Sequence, residues 1–225
     1  MEQIVNIVKT KLKSSSHDLS HTFRVYGNCI KIAKNEPNCH VNMEILQAAA
    51  LLHDIARPEE DSPHDGKKVD HAIVGAEQAK DILISLGKPT DFALSVSAAI
   101  RTHRFRGGLI PETMEAKILF DADKLDVIGN IGIARSYMIA GEQHQDIYND
   151  CDIQEYVKTN LVGGVPSGKI IDISKHTPNI EYATKNIHIP EKMFTQTGKA
   201  MALVRLERMK NFFEILKTEI EGKEI

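Results

Sequence analysis

The chain has 225 residues, 42% of them apolar and 26% charged, with a formal net charge of −3 and a pI near 6.4. That is an ordinary globular balance with enough length for one substantial core, and it offers no basic face for duplex nucleic acid. Nowhere do about 18 apolar residues run together as a membrane span would require, and the first residues carry an early acid and no long apolar run, so no secretory signal is expected.

Residues 19–35 place Phe23, Val25, Tyr26, Ile30 and Ala33 at helical intervals, with Asp18 or Ser20 to cap the start. Residues 43–55 are almost unbroken in Ala, Leu and Ile, as in a helix buried on most sides. The polar stretch 57–68, with Pro58, Pro63 and Gly66, reads as a loop. Asp70 then caps a helix over 71–86 that Gly87 and Pro89 close. A further helix covers 91–103, before a loop with Gly107, Gly108 and Pro111. Residues 112–140 read as one long helix in which Gly129 and Gly132 allow close helix contact. The stretch 163–190, rich in Gly, Pro, Ser and Asn, is expected as an irregular surface insertion, with 169–173 extended enough for a short hairpin. The last helix, 195–221, sets Met201, Leu203, Val204, Leu206, Met209, Phe212, Phe213 and Leu216 at core-like spacing. The pattern predicts an all-α, single-domain helical bundle with one insertion.

Cys29, Cys39 and Cys151 are odd in number and form no C-x-x-C pair, so a disulfide framework or thiolate zinc site is not expected and the cytoplasm is the natural location. The chemistry rests instead with the ten histidines and the acids near them. His21, His53, Asp54 and Asp123 stand out because each lies on an apolar helical segment. Burying such groups is costly unless something offsets the lost hydration. A divalent cation does so, and imidazole with carboxylate suits manganese, iron, cobalt, nickel or zinc. Asp121 is the rival to Asp123. His17, His40, His64, His176 and His188 fall in loop-like surroundings and are expected to be exposed. The run 163–169 lacks the order of a phosphate loop, because Ile170 follows Lys169.

The order His21, His53-Asp54, Asp123, with the flanking words 49–55 and 115–126, resembles the H…HD…D signature of the HD-domain superfamily of metal-dependent phosphohydrolases. Residues 129–135, Gly141 and His144 resemble the branch that includes bacterial nucleoside-triphosphate pyrophosphohydrolases. The resemblance covers about 17–145 well and the final helix more loosely. It implies an all-α fold and a divalent ion (manganese, cobalt, nickel, iron, zinc or magnesium) held by His21, His53, Asp54 and Asp123. His71 and His103 fall where some members ligate a second ion and others bind phosphate. The implied reaction is attack of metal-activated water on a phosphoester or phosphoanhydride of a nucleotide or similar small metabolite. Asp54, Arg24 and Lys124 are the catalytic candidates, and Arg24, His71, His103 and Arg104 the substrate-binding ones. Asp126 is a candidate for orienting a ligand, and Arg135 for an ion pair with Asp126 or Glu142. A proton carrier after the HD pair would be Glu59 or Glu60. The rival readings are a metal-retaining nucleotide-binding or regulatory module and a six-ligand di-iron oxygenase. Neither duplex nucleic acid nor a membrane is an expected partner, and a homodimer is left open.

Overall fold

A computed structural model describes residues 1–12, 19–61, 69–104, 108–166 and 168–223. Asp18, His17, His64, Gly107, Ser167 and residues 62–68 of the expected loop lie outside the described residues. The fold is all-α, as expected, in chain order α1 (Glu2–Lys11), α2 (Leu19–Asn35), α3 (Met43–Leu52), α4 (Arg57–Asp61), α5 (His71–Ser85), α6 (Thr90–Arg101), α7 (Met114–Leu125), α8 (Gly129–Glu142), α9 (Ile153–Asn160), α10 (Pro178–Thr184) and α11 (Gln196–Ile220). Short 3-10 turns lie between α9 and α11. The chain divides into two compact units: Met1–Asp123 with Met193–Gly198, and Lys124–Lys192 with Lys199–Ile225.

In the first unit α3 is central, and it packs on α1, α2, α5 and α6. Its Leu46, Ala48, Ala49, Ala50, Leu51 and Leu52 are all buried, which is why the segment is apolar around its circumference. Asn42 caps it by accepting from the Glu44 and Ile45 amides, and Asp70 caps α5 by accepting from the Ala72 amide. Asn28 of α2 donates to the Ala122 carbonyl of α7 (3.3 Å), which fixes these two helices beside each other.

Three expectations in this unit need correction. Residues 57–61 are helical, because a proline is tolerated in a first turn and Glu59 and Glu60 suit the positive end of the helix. α3 stops at Leu52, and the chain turns tightly through Ile55 N–H to Leu52 O (3.1 Å) and Arg57 N–H to Asp54 O (2.9 Å). Ser20 lies inside α2, where its hydroxyl accepts from Arg24, and does not cap it.

The long helix expected over 112–140 is two helices, and the break falls in the second unit. Gly129 has φ +75°, and a Cβ there would meet the Arg205 side chain at 3.0 Å. A Cβ on Gly132 would come within 2.4 Å of the Val127 carbonyl, so the chain folds against its own connection at this point. The insertion is more ordered than its composition suggests. α10 buries Ile180 against Tyr156 and Leu161, and among the described residues the extended stretch makes a single antiparallel bridge, Leu161 to Ile170. His176, expected to be exposed, is buried: Nδ1 is 2.8 Å from the Tyr156 hydroxyl and Nε2 is 2.9 Å from Glu181. On α11, Ala202, Met209 and Phe213 are buried, whereas Leu203 and Val204 are exposed.

Candidate metal centre

The first unit gathers four helices and one turn at a buried cluster. His21 opens the inner face of α2, while His53 and Asp54 occupy the turn after α3. His71 is the first residue of α5, and His103 follows α6. All five are buried.

The hydrogen positions follow from the neighbours. His53 Nδ1 lies 2.9 Å from the Ala50 carbonyl and His103 Nδ1 2.6 Å from the Ile100 carbonyl. A carbonyl only accepts, so each ring carries its proton on Nδ1. Burial pushes the His53 imidazole down to about 4 against the opposing pull of Asp54, so at neutral pH its Nε2 is a bare lone pair. Burial alone would raise the Asp54 carboxyl, but His53, His103 and His21 together hold it well below its usual range. It is ionised.

Around Asp54 Oδ2, His21 Nε2 is 3.5 Å away and His53 Nε2 3.6 Å, and the two ring nitrogens are 3.3 Å apart. Asp123 Oδ1 joins from α7 at 3.4 Å from His21 Nε2. Around Asp54 Oδ1, His71 Nε2 lies at 3.3 Å and His103 Nε2 at 3.6 Å, again with 3.3 Å between the ring nitrogens. Each carboxylate oxygen of Asp54 therefore faces its own pair of imidazoles, as a bridging ligand would.

Lone pairs packed this closely repel unless a cation lies between them. Donors about 2.0–2.2 Å from one ion stand roughly 3.1–3.6 Å apart at ligand angles near 100–110°, a range that includes the spacings here. The donor set, neutral imidazole with carboxylate, suits a divalent ion. His21 with His53 and Asp54, and Asp54 with His71 and His103, each place their ligand atoms within 4.8 Å of one another.

The rival Asp121 is turned away to other work. It is fully buried and accepts from the Phe194 amide (2.9 Å), the Thr195 amide (2.8 Å) and the Thr195 hydroxyl (2.6 Å). Arg24 is half-buried one turn after His21 and donates to Ser20 (2.7 Å). Lys124 follows Asp123 in the chain as the first residue of the second unit. Asp126, also in the second unit, is buried and pairs with Arg135 at 3.1 Å, the first of the two partners considered for that arginine.

Arg104 is engaged by carboxylates, with Nη2 2.8 Å from Glu60 and Nη1 3.1 Å from Asp70. Of the two acids considered after the HD pair, Glu59 accepts from Gln78 and Glu60 meets His71 Nδ1 at 2.5 Å. Arg57, which sequence reasoning did not single out, is 3.0 Å from Glu60. The signal was present in the i, i+3 spacing of Arg57 and Glu60, but the loop reading of this stretch concealed it.

A family model described as HD domain matches residues 18–128. The uncharacterized protein YpgQ of Bacillus subtilis is 28% identical over 98% of this chain and 94% of its own length. A crystal structure of YpgQ in complex with ADP superposes with a TM-score of 0.70 at 24% identity, covering all of this chain and 96% of that one. A predicted HD superfamily hydrolase from an uncultured Thermotogales bacterium is 31% identical, with a TM-score of 0.65 over 97% of this chain and 92% of that one. An HD-superfamily hydrolase from Bacillus thuringiensis has the same fold, with a TM-score of 0.71 at 23% identity over 98% of this chain and 96% of that one. With the residues, their order and this full-length similarity together, the chain belongs to the HD-domain superfamily of metal-dependent phosphohydrolases.

Proposed function

We propose that the protein hydrolyses a phosphoester or phosphoanhydride bond of a nucleotide, with release of pyrophosphate from a nucleoside triphosphate as the preferred reaction. The observation that carries this reading is the pair of closely packed imidazole and carboxylate sets sharing Asp54, an arrangement that suits cations. In it, His21, His53, Asp54 and Asp123 hold one divalent ion, and Asp54, His71 and His103 can hold a second. Such an ion, when bound, eases loss of a proton from water and neutralises charge gathering on phosphoryl oxygens.

The chain's own residues set the rest. Ala50 and Ile100 fix the ring orientations of His53 and His103 through Nδ1, and Asp54 fixes the separation of the two halves. Arg24 and Lys124, neighbours of His21 and Asp123 in sequence, are the cations proposed to meet substrate phosphate. Arg104 is a weaker candidate, because Glu60 and Asp70 already engage it. That a relative, YpgQ, has been crystallised with ADP supports a nucleotide as the substrate class. The three free cysteines fit a reducing compartment, the cytoplasm.

The test is a phosphate- and pyrophosphate-release screen over nucleotides with manganese, cobalt, nickel or magnesium added. His53→Ala and Asp54→Ala are the controls. Turnover that survives both substitutions contradicts the site, and no turnover on any nucleotide favours a binding module. The second acceptor set is the one observation that favours a di-iron oxygenase instead, and iron content with oxygen uptake would reveal it.

A further inference from the structure

Glu60 sits where three donors converge. Its Oε2 is 2.5 Å from His71 Nδ1 and 3.0 Å from Arg57 Nη1, and its Oε1 is 2.8 Å from Arg104 Nη2. Arg104 is itself tied to Asp70, the residue that caps α5 immediately before His71. Arg57 Nη1 also lies 3.0 Å from His71 Nδ1. A guanidinium has only hydrogens to offer, so that contact and the Glu60 contact make opposite demands on one ring nitrogen.

The shorter contact decides. A carboxylate oxygen and an unprotonated ring nitrogen cannot approach to 2.5 Å without two lone pairs colliding, so Nδ1 carries hydrogen and donates to Glu60. Arg57 then donates to the same oxygen. With Nδ1 protonated, Nε2 of neutral His71 is bare, and it faces Asp54 Oδ1 and His103 Nε2, each at 3.3 Å. His53 and His103 obtain the same orientation from backbone carbonyls; His71 obtains it from a side chain.

We infer that Glu60, held between Arg57 and Arg104, is a positioning residue that fixes the Nδ1–H tautomer and ring angle of His71 and thereby makes the His71–His103 half of the centre competent to take a cation. The inference rests on the metal reading of the site given above. It also assigns Glu60 a different role from proton carrier, since both its oxygens are already engaged by donors.

The first measurement is made without metal. Long-range proton–nitrogen spectra of the full chain, with His71 assigned by comparison with His71→Asn, report which ring nitrogen carries the proton. Nδ1–H is expected in the wild type and in Glu60→Gln, whose amide oxygen still accepts. Glu60→Ala should move the population toward Nε2–H. The second measurement is calorimetric titration with manganese. Glu60→Ala should weaken one ion about 10–100-fold and leave the other unchanged, and Glu60→Gln should restore most of the loss. Nε2–H in the wild type, or unchanged affinity for both ions in Glu60→Ala, would overturn the inference. A wild type that takes up no ion sinks the reading of the site instead, while the tautomer spectra still decide the role of Glu60.

Discussion

Asp121 and Asp123 stand two residues apart on one helix and have different surroundings. A carboxylate that accepts from two amides and a hydroxyl is satisfied by protein alone, whereas Asp123 faces an imidazole nitrogen. Asp121→Ala should therefore lower stability by about 2–4 kcal/mol, from three donors left without a partner, while metal uptake of the folded fraction is retained. Asp123→Ala should weaken metal uptake and leave the stability of the metal-free protein within about 1 kcal/mol of wild type. Urea denaturation alongside manganese titration checks both, and a swap of the two phenotypes would refute the assignment. At this scale the apolar runs around His21, His53, Asp54 and Asp123 marked groups that need a reason to be there, and the structure brings the four side chains together. Glu60 and Arg57 gave no such sign. They sit in a polar stretch, where a supporting network and a solvated loop have the same composition.

Helices with a strong apolar period were legible to within a few residues, as the bounds of α5, α6 and α11 show against the expected 71–86, 91–103 and 195–221. What periodicity could not show was the break between α7 and α8, since Gly129 is compatible with a helix interior and only its φ of +75° reveals the stop. Gly129→Ala should cost about 1–2 kcal/mol, from the left-handed backbone and contact with Arg205, and urea titration would measure it. α10 was missed because its burial depends on partners distant in sequence. The Glu181 carboxylate only accepts, so His176 Nε2 carries the hydrogen and donates to it (2.9 Å), while Nδ1 lies 2.8 Å from the Tyr156 hydroxyl, which accepts from Asn160 Nδ2 (2.9 Å). Burial pushes the Glu181 carboxyl up, but His176 and Lys185 prevail and hold it at about 2, below its ordinary 4.5. A depressed acid stabilises the fold fully above about 4.5 and loses that contribution as pH falls toward 2. The stability difference between wild type and Glu181→Gln, followed by urea denaturation, should shrink across that interval and be flat above it. A difference that grew on acidification would show that Glu181 is not held this way.

For the molecule as a whole, composition excluded a good deal, and among the described residues no helix is long and apolar enough to cross a membrane. It could not show that the chain divides into two compact units, because both draw on the same ordinary mixture of residues and the division cuts through α7 and α11. That division has a measurable consequence. His21, His53, Asp54, His71, His103 and Asp123 all belong to the first unit, so under the proposed two-ion reading bound ions would tie α2, the turn after α3, α5, the end of α6 and α7 together. A ligand that binds only the folded state adds RT ln(1 + [L]/Kd), about 2.7 kcal/mol at a hundredfold excess over Kd. Manganese should therefore slow amide exchange in α2, α3, α5 and α6 by up to about a hundredfold while leaving α9 and α10 nearly unchanged, and Asp54→Ala should abolish the effect. Equal slowing in α9 and α10 would mean that the two units open together, and no slowing in α2 or α5 would mean that the six side chains do not act on one centre.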